Sequence, residues 1–184
     1  MQWYGIAAEG SARIAGRSIS GVKPLLQRDG SGFYVSPTSL VDRGVADAAD
    51  QSRYVNPLRV ASAVVPSSVV KAGIRFGSFG VAIHARKQIA VPLVIGDGGP
   101  RVGEGSPALA RQVAGLNVSD TIDLKNRFEG QVDRPDVLWV FFGGPQVPFD
   151  HEKEAEVASN AKAAFDTWGG SARLATCLAT LPRP

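Results

Sequence analysis

Residues 89–115, IAVPLVIGDGGPRVGEGSPALARQVAG, hold the two side chains best spaced for chemistry, Asp97 and Glu104. An apolar run ends in Gly96-Asp97, a Gly98-Gly99-Pro100 turn follows, and Gly103-Glu104-Gly105 leads to a helix start at Ser106-Pro107. Two acids therefore bracket one glycine-rich loop between an expected strand and an expected helix. Glycines remove side-chain bulk and let backbone approach a ligand closely. Two carboxylates facing one cleft can divide general-acid and general-base work when their surroundings push their pKa values apart. For glycoside hydrolysis by inversion they stand about 6.5–9.5 Å apart, a separation that a loop of this length can deliver. The flanking glycines and a neighbouring apolar helix would desolvate Glu104, which favours it as the acid. The same residues also admit a plain structural reading. Asp in Gly-Asp-Gly-Gly is common turn chemistry, and Glu104 before a helix start suits the helix dipole.

A second polar group lies in residues 27–40, QRDGSGFYVSPTSL. Asp29 opens a Gly/Ser turn into a strand, and Ser36, Thr38 and Ser39 offer hydroxyls near its end. Phe33 and Tyr34 point to opposite faces of such a strand, one towards a core and one free to stack on a sugar ring. RYVNP at 53–57 adds Tyr54 to a similar rim. A turn plus a strand end accounts equally well for any single residue here.

Other motifs exclude function classes. No Gly-Lys-Ser/Thr follows the loop, and G-x-G-x-x-G spacing is absent, so neither a P-loop nor a dinucleotide fingerprint is present. His84 and His151 stand alone, without an H-x-x-x-H pattern or a Cys cluster, and no metal or cofactor is expected. Cys177, the single cysteine, sits among Leu174, Ala175 and Leu178 and reads as a small buried hydrophobe. Lys and Arg are spread along the chain, which gives no sign of a nucleic-acid surface.

The elements that must position these residues are β-rich in the first half. Short apolar runs between turn residues predict strands at Trp3–Ala8, Gly32–Ser36, Leu58–Val65, Phe79–Ala85, Gln88–Ile95 and Val137–Phe142. Residues 79–95 read as a hairpin with Arg86-Lys87 at its tip, and Pro92 marks an edge or a bulge because proline cannot donate to a ladder. Start and stop signals agree on a helix over 106–115, with Ser106 at the N-cap, Pro107 at the first helical position and Gly115 after the end. A second helix runs from about Asp150 to Trp168, its stripe being Val157, Ala161, Ala164, Phe165 and Trp168, with Gly169-Gly170 as the stop and a short helix over 171–180 beyond. Residues 117–135 read as a loop.

The chain has 184 residues, 44% of them hydrophobic and 20% charged, which excludes a disordered chain. The length and the lack of a linker favour one domain over 1–184, with the C-terminal helices (about 150–180) packed on the β-rich body. Apolar stretches such as Ile89–Ile95 fall far short of the roughly 18–20 residues of a membrane span. The N-terminus lacks a basic region and a long apolar region, so a cytoplasmic start is expected, with export by a signal-independent route as the alternative.

The order of segments S-G-F-Y-V-S-x-T-S-L, R-Y-V-N-P, G-D-G-G-P, V-G-E-G-S-x-A-L-A and V-L-W-V-F-F, over roughly residues 25–145, resembles glycoside hydrolase family 75. That is the fungal-type chitosanase family with its bacterial relatives. F-D-x-W-G-G-S-A-R-L looks like the C-terminal extension of some bacterial members. The resemblance implies an inverting endo-hydrolase of a β-1,4-linked amino-sugar polymer with Asp97 and Glu104 as catalytic acids. It also implies an α+β, β-rich fold, a six-stranded double-psi-like β-barrel with a few peripheral helices. Asp29, Tyr34, Thr38, Ser39, Tyr54 and Ser106 are the residues expected to contact substrate.

Charge bears on the polymer. Twenty Lys+Arg against 17 Asp+Glu give a net charge of +3 and a pI near 9.2. Chitosan is a polycation below the pKa of its amines, and an enzyme for it gains from an acidic surface. A basic chain suits a neutral or anionic polymer better, such as peptidoglycan glycan strands. Two competing readings share the same residues. One is an antibacterial effector that takes this site to a cell wall, with an immunity or delivery protein as partner. The other is a non-catalytic carbohydrate-binding barrel in which the acids hold sugar hydroxyls.

Overall fold

The computed structural model describes residues 5–123, 125–143 and 146–180. Among them are six strands and four α-helices, an α+β content. β1 (Ala8–Ile14) and β2 (Arg17–Pro24) form an antiparallel ribbon. Its tip, Ala15-Gly16, has φ of 50° and 77°, the left-handed pair that a tight hairpin turn requires. Of the strand expected over Trp3–Ala8, Trp3 and Tyr4 lie outside the described residues, and the chain enters a strand only at Ala8.

The other four strands make one sheet. β3 (Ser62–Val65), β4 (Phe79–His84), β5 (Ile89–Gly98) and β6 (Val137–Phe141) lie in the order β3-β5-β4-β6. β5 runs parallel to β3 and antiparallel to β4, which also pairs antiparallel with β6. The six strands thus divide into a ribbon of two and a sheet of four. The hairpin over 79–95 stands as expected. Pro92 lies on a stretch of β5 that has β4 beside it but precedes the first β3 partner, Val94, so its missing N–H breaks no ladder with β3. The strand expected over Gly32–Ser36 shrinks to a single bridge, Leu26 to Tyr34.

Every residue of β4 is buried, because both faces of the sheet are covered. On one face α2 (Pro107–Val113) sets Leu109 and Val113 against Ala63, Val65, Leu93 and Ile95. Trp139 and Phe141 of β6 pack on the same cluster, so both edges of the sheet meet one core and the sheet curls around it. On the other face α3 (Glu154–Trp168) sets Val157 and Ala161 against Phe79 and Val94. Phe165, with Leu174 of α4 (Gly170–Thr180), continues this layer over Val81 and Ile83. A short helix, α1 (Ser67–Lys71), follows β3 and was not expected. Gly169, at φ 117°, ends α3 in a conformation that disfavours other residues. No helix among the described residues is long and apolar enough to cross a membrane.

Candidate active site

β5 runs three residues further than its sequence suggests, so Asp97 sits on a strand and not in a turn. β3 and β5 are in register to Ala63 and Ile95, and then Val64 pairs with Asp97, which leaves Gly96 as an extra residue on β5. Side chains alternate along a regular strand, so Asp97 would otherwise follow Ile95 into the core beneath α2. The bulge turns it onto the opposite face, beside Val64. Gly96 is tight against β3: a Cβ there would lie 3.1 Å from the Ser62 Cβ.

Glu104 reaches the same face from the far side of β3. Gly105 bridges Ala63 in the antiparallel sense, the Val64 N–H donates to the Glu104 carbonyl (2.9 Å), and the Ser106 N–H donates to the Ser62 carbonyl (2.8 Å). This register puts Glu104 opposite Val64. Val64 therefore stands between the two acids, one strand spacing of about 4.8 Å from each. A Cβ placed on Gly99, which shares this face, would lie 2.5 Å from Val64 Cγ1 and 3.8 Å from Glu104 Oε2, so the Glu104 carboxylate leans across Val64 towards β5.

Asp97 is half-buried and firmly held. Its Oδ1 accepts from the Ser39 N–H (3.0 Å), the Ser39 hydroxyl and the Gly98 N–H (2.8 Å). Among the described residues its hydrogen bonds all end on Oδ1, which leaves Oδ2 for a water or a substrate. The Ser39 segment is itself fixed, since the Leu40 N–H donates to the Gly96 carbonyl at the bulge (2.9 Å). Thr38 belongs to this support: its hydroxyl donates to the Leu40 carbonyl (2.6 Å) and accepts from the Val55 N–H (3.1 Å). Glu104 is exposed, so the desolvation expected for it is not there.

Ser39 also opens a cleft of about 700 Å³ whose lining includes Asp42, Arg43, Arg75, Phe76 and Phe149. Asp42 is nearly buried, and its Oδ2 meets His151 Nδ1 at 2.7 Å and the His151 N–H at 3.1 Å. Its Oδ1 accepts from the Gly44 N–H (2.7 Å). The His151 hydrogen bonds pull the Asp42 carboxyl down to about 2, and the same side-chain bond raises the His151 imidazole. Asp150 adds a third donor atom within 4.8 Å of these two, the kind of group that can hold a cation. His151, which looked isolated, is thus partnered over a separation of 109 residues, and no local signal marks the pair. His84 is buried at the end of β4 with Nδ1 lacking a hydrogen-bond partner among the described residues.

The remaining expected contacts divide. Tyr54 is a correction: it is buried with Val35 and Ala49, and its hydroxyl donates to the Ala48 carbonyl (3.2 Å), so it serves a core. Ser106 is a second correction. Its buried hydroxyl donates to the Val60 carbonyl (2.8 Å) and accepts from the Ser62 N–H (3.1 Å) and the Leu109 N–H (3.2 Å), which locks α2 to β3. Asp29 accepts from the Ser31 N–H (2.9 Å) and lines a different cleft with Gln27, Asp50 and Gln51. The Ser31 hydroxyl, and then its N–H, hold the Asp29 carboxyl below its usual range. Phe33 and Tyr34 are both exposed, so neither enters the core; the Gln27 side chain donates to the Tyr34 carbonyl (3.0 Å). Cys177 is half-buried on α4.

No family model and no curated protein matches the chain.

Proposed function

We propose that this chain hydrolyses a β-1,4-linked amino-sugar polymer, of the chitosan or peptidoglycan type, with inversion, using Asp97 and Glu104 as its carboxylate pair. One observation carries the reading: both acids stand on one face of the sheet with Val64 between them. Two strand spacings, about 9–10 Å between backbones, together with the lean of Glu104 towards β5, suit the roughly 6.5–9.5 Å that leaves room for a water.

Asp97, with Oδ1 held by three donors, acts as the base through Oδ2. It takes a proton from water as the oxygen attacks the anomeric carbon. Glu104 takes the acid role as the counterpart of the donor-held Asp97, not through desolvation, and gives its proton to the leaving glycosidic oxygen. The carbon–oxygen bond to the leaving sugar breaks as the bond to water forms, and the β-linkage yields an α product. The resemblance to family 75 supports the same two residues and the same outcome. It also supports reading the curled sheet as part of a barrel of the double-psi type.

The test is product analysis on chitosan, chitin oligomers and purified peptidoglycan in parallel. The wild-type chain should release reducing ends from at least one of them, and Asp97→Asn and Glu104→Gln should each lower the rate by about 10²–10⁴-fold. Binding to a glycan with no release from any of the three would instead favour the non-catalytic barrel.

A further inference from the structure

We infer that the cleft beside Asp97 is a subsite for a sugar carboxylate, gripped by Arg43 and Arg75, so that the polymer cut is an anionic glycan and not polyglucosamine. This rests on the carboxylate-pair reading above and names the substrate class for that site. Ser39 joins the two places. Its hydroxyl and N–H hold Asp97, and the same residue lines the cleft of about 700 Å³. A glycan lying across Asp97 can therefore continue into the cleft, whose size is that of a small-ligand site.

Charge then selects the sugar. Arg43 and Arg75 are both exposed, and neither forms a salt bridge among the described residues, whose ion pairs involve other cations. Asp42 is the one acid of the lining, and its oxygens are occupied by His151 and the Gly44 N–H. The lining thus presents two guanidinium groups without an ion-pair partner among the described residues and one carboxylate whose oxygens are held by His151 and the Gly44 N–H. A guanidinium fork matches a carboxylate with two parallel hydrogen bonds. A row of ammonium groups would be repelled by the same pair. Half-buried Phe76 in the lining provides a surface for the C–H face of a sugar ring, with Leu40 and Phe149 buried behind it. The carboxylate has two chemical sources, a lactyl ether on an amino sugar or a uronic acid.

The experiment uses the full chain carrying Glu104→Gln, so that ligands persist, with and without Arg43→Gln and Arg75→Gln. Calorimetric titration compares four β-1,4-linked tetrasaccharides. They are glucosamine, N-acetylglucosamine, N-acetylglucosamine alternating with N-acetylmuramic acid bearing free carboxylates, and glucuronate. The muramic tetramer should bind about tenfold tighter than the N-acetylglucosamine tetramer, glucosamine should bind weakest, and the two Arg substitutions should remove the preference. Equal binding of glucuronate would extend the subsite to any acidic sugar, and weak glucuronate binding would assign it to the lactyl group; both support the inference. Equal affinity for neutral and acidic tetramers, or a preference that survives loss of both arginines, overturns it. Wild-type hydrolysis assays separate the two claims. Cleavage that needs Asp97 and Glu104 but ignores Arg43 and Arg75 keeps the proposed function and removes only the subsite.

Discussion

At the scale of the residue, the site turns on how Asp97 is held. Ser39 supplies two of its three donors, one from the backbone and one from the hydroxyl. Ser39→Ala keeps the backbone donor and loses the other. It should lower kcat about tenfold with KM unchanged, because the carboxylate is less well oriented for the water it activates; steady-state kinetics on the best glycan checks this. The Asp42–His151 pair makes a separate prediction. The Asp42 carboxyl is depressed from 3.8 to about 2, so its stabilisation is full above about pH 4 and lost as pH falls through about 2. His151 is raised above 6.5, so its stabilisation is full below 6.5 and lost as pH rises through its folded value. Both contributions coincide between about pH 4 and 6.5. His151→Asn should therefore lower Tm clearly at about pH 5 and much less at about pH 9, as measured by circular dichroism. An equal drop at both values would mean that packing, and not the ion pair, is what the substitution removes.

At the scale of the element, the two acids owe their common face to a bulge and a bridge. Gly105 pairs with Ala63 so closely that a Cβ there would lie 2.7 Å from Leu109 Cδ2 and 3.0 Å from the Ser62 carbonyl. Gly105→Ala should cost about 1–3 kcal/mol in urea unfolding and should also reduce activity by shifting Glu104. The helices were legible because their ends are spelled locally: Ser106-Pro107 starts α2, and the spacing of Val157, Ala161 and Phe165 sets the buried face of α3. The cores of β4 and β6 were legible from short apolar runs. The end of β5 was not, since Gly-Asp-Gly has turn composition and only pairing with β3 makes it a strand. The β1–β2 ribbon was missed because neither strand has a buried residue and neither shows clean apolar alternation. α1, at five residues, is too short to show a helical period.

At the scale of the molecule, two of the chain's 20 Lys and Arg residues, Arg43 and Arg75, line the cleft next to the candidate pair. The candidate pair was readable because Asp97 and Glu104 lie close together in one glycine-rich stretch of sequence. Its support was not, because Ser39 is 58 residues from Asp97 and Asp42 is 109 from His151, and chain separation of that order leaves no local pattern. If the basic cleft selects an anionic glycan, affinity for the muramic tetramer should fall several-fold as salt rises from about 0.02 to 0.5 M, while that for the neutral tetramer stays constant. Titrations at the two ionic strengths check this. The central claim, hydrolysis with inversion by Asp97 and Glu104, is tested most directly by proton NMR of the anomeric region during digestion of the three glycans. The wild-type chain should produce new reducing ends that appear first as the α-anomer, and Asp97→Asn and Glu104→Gln should produce almost none. Reducing ends that appear first as the β-anomer, or that form at the full rate in both variants, would contradict it.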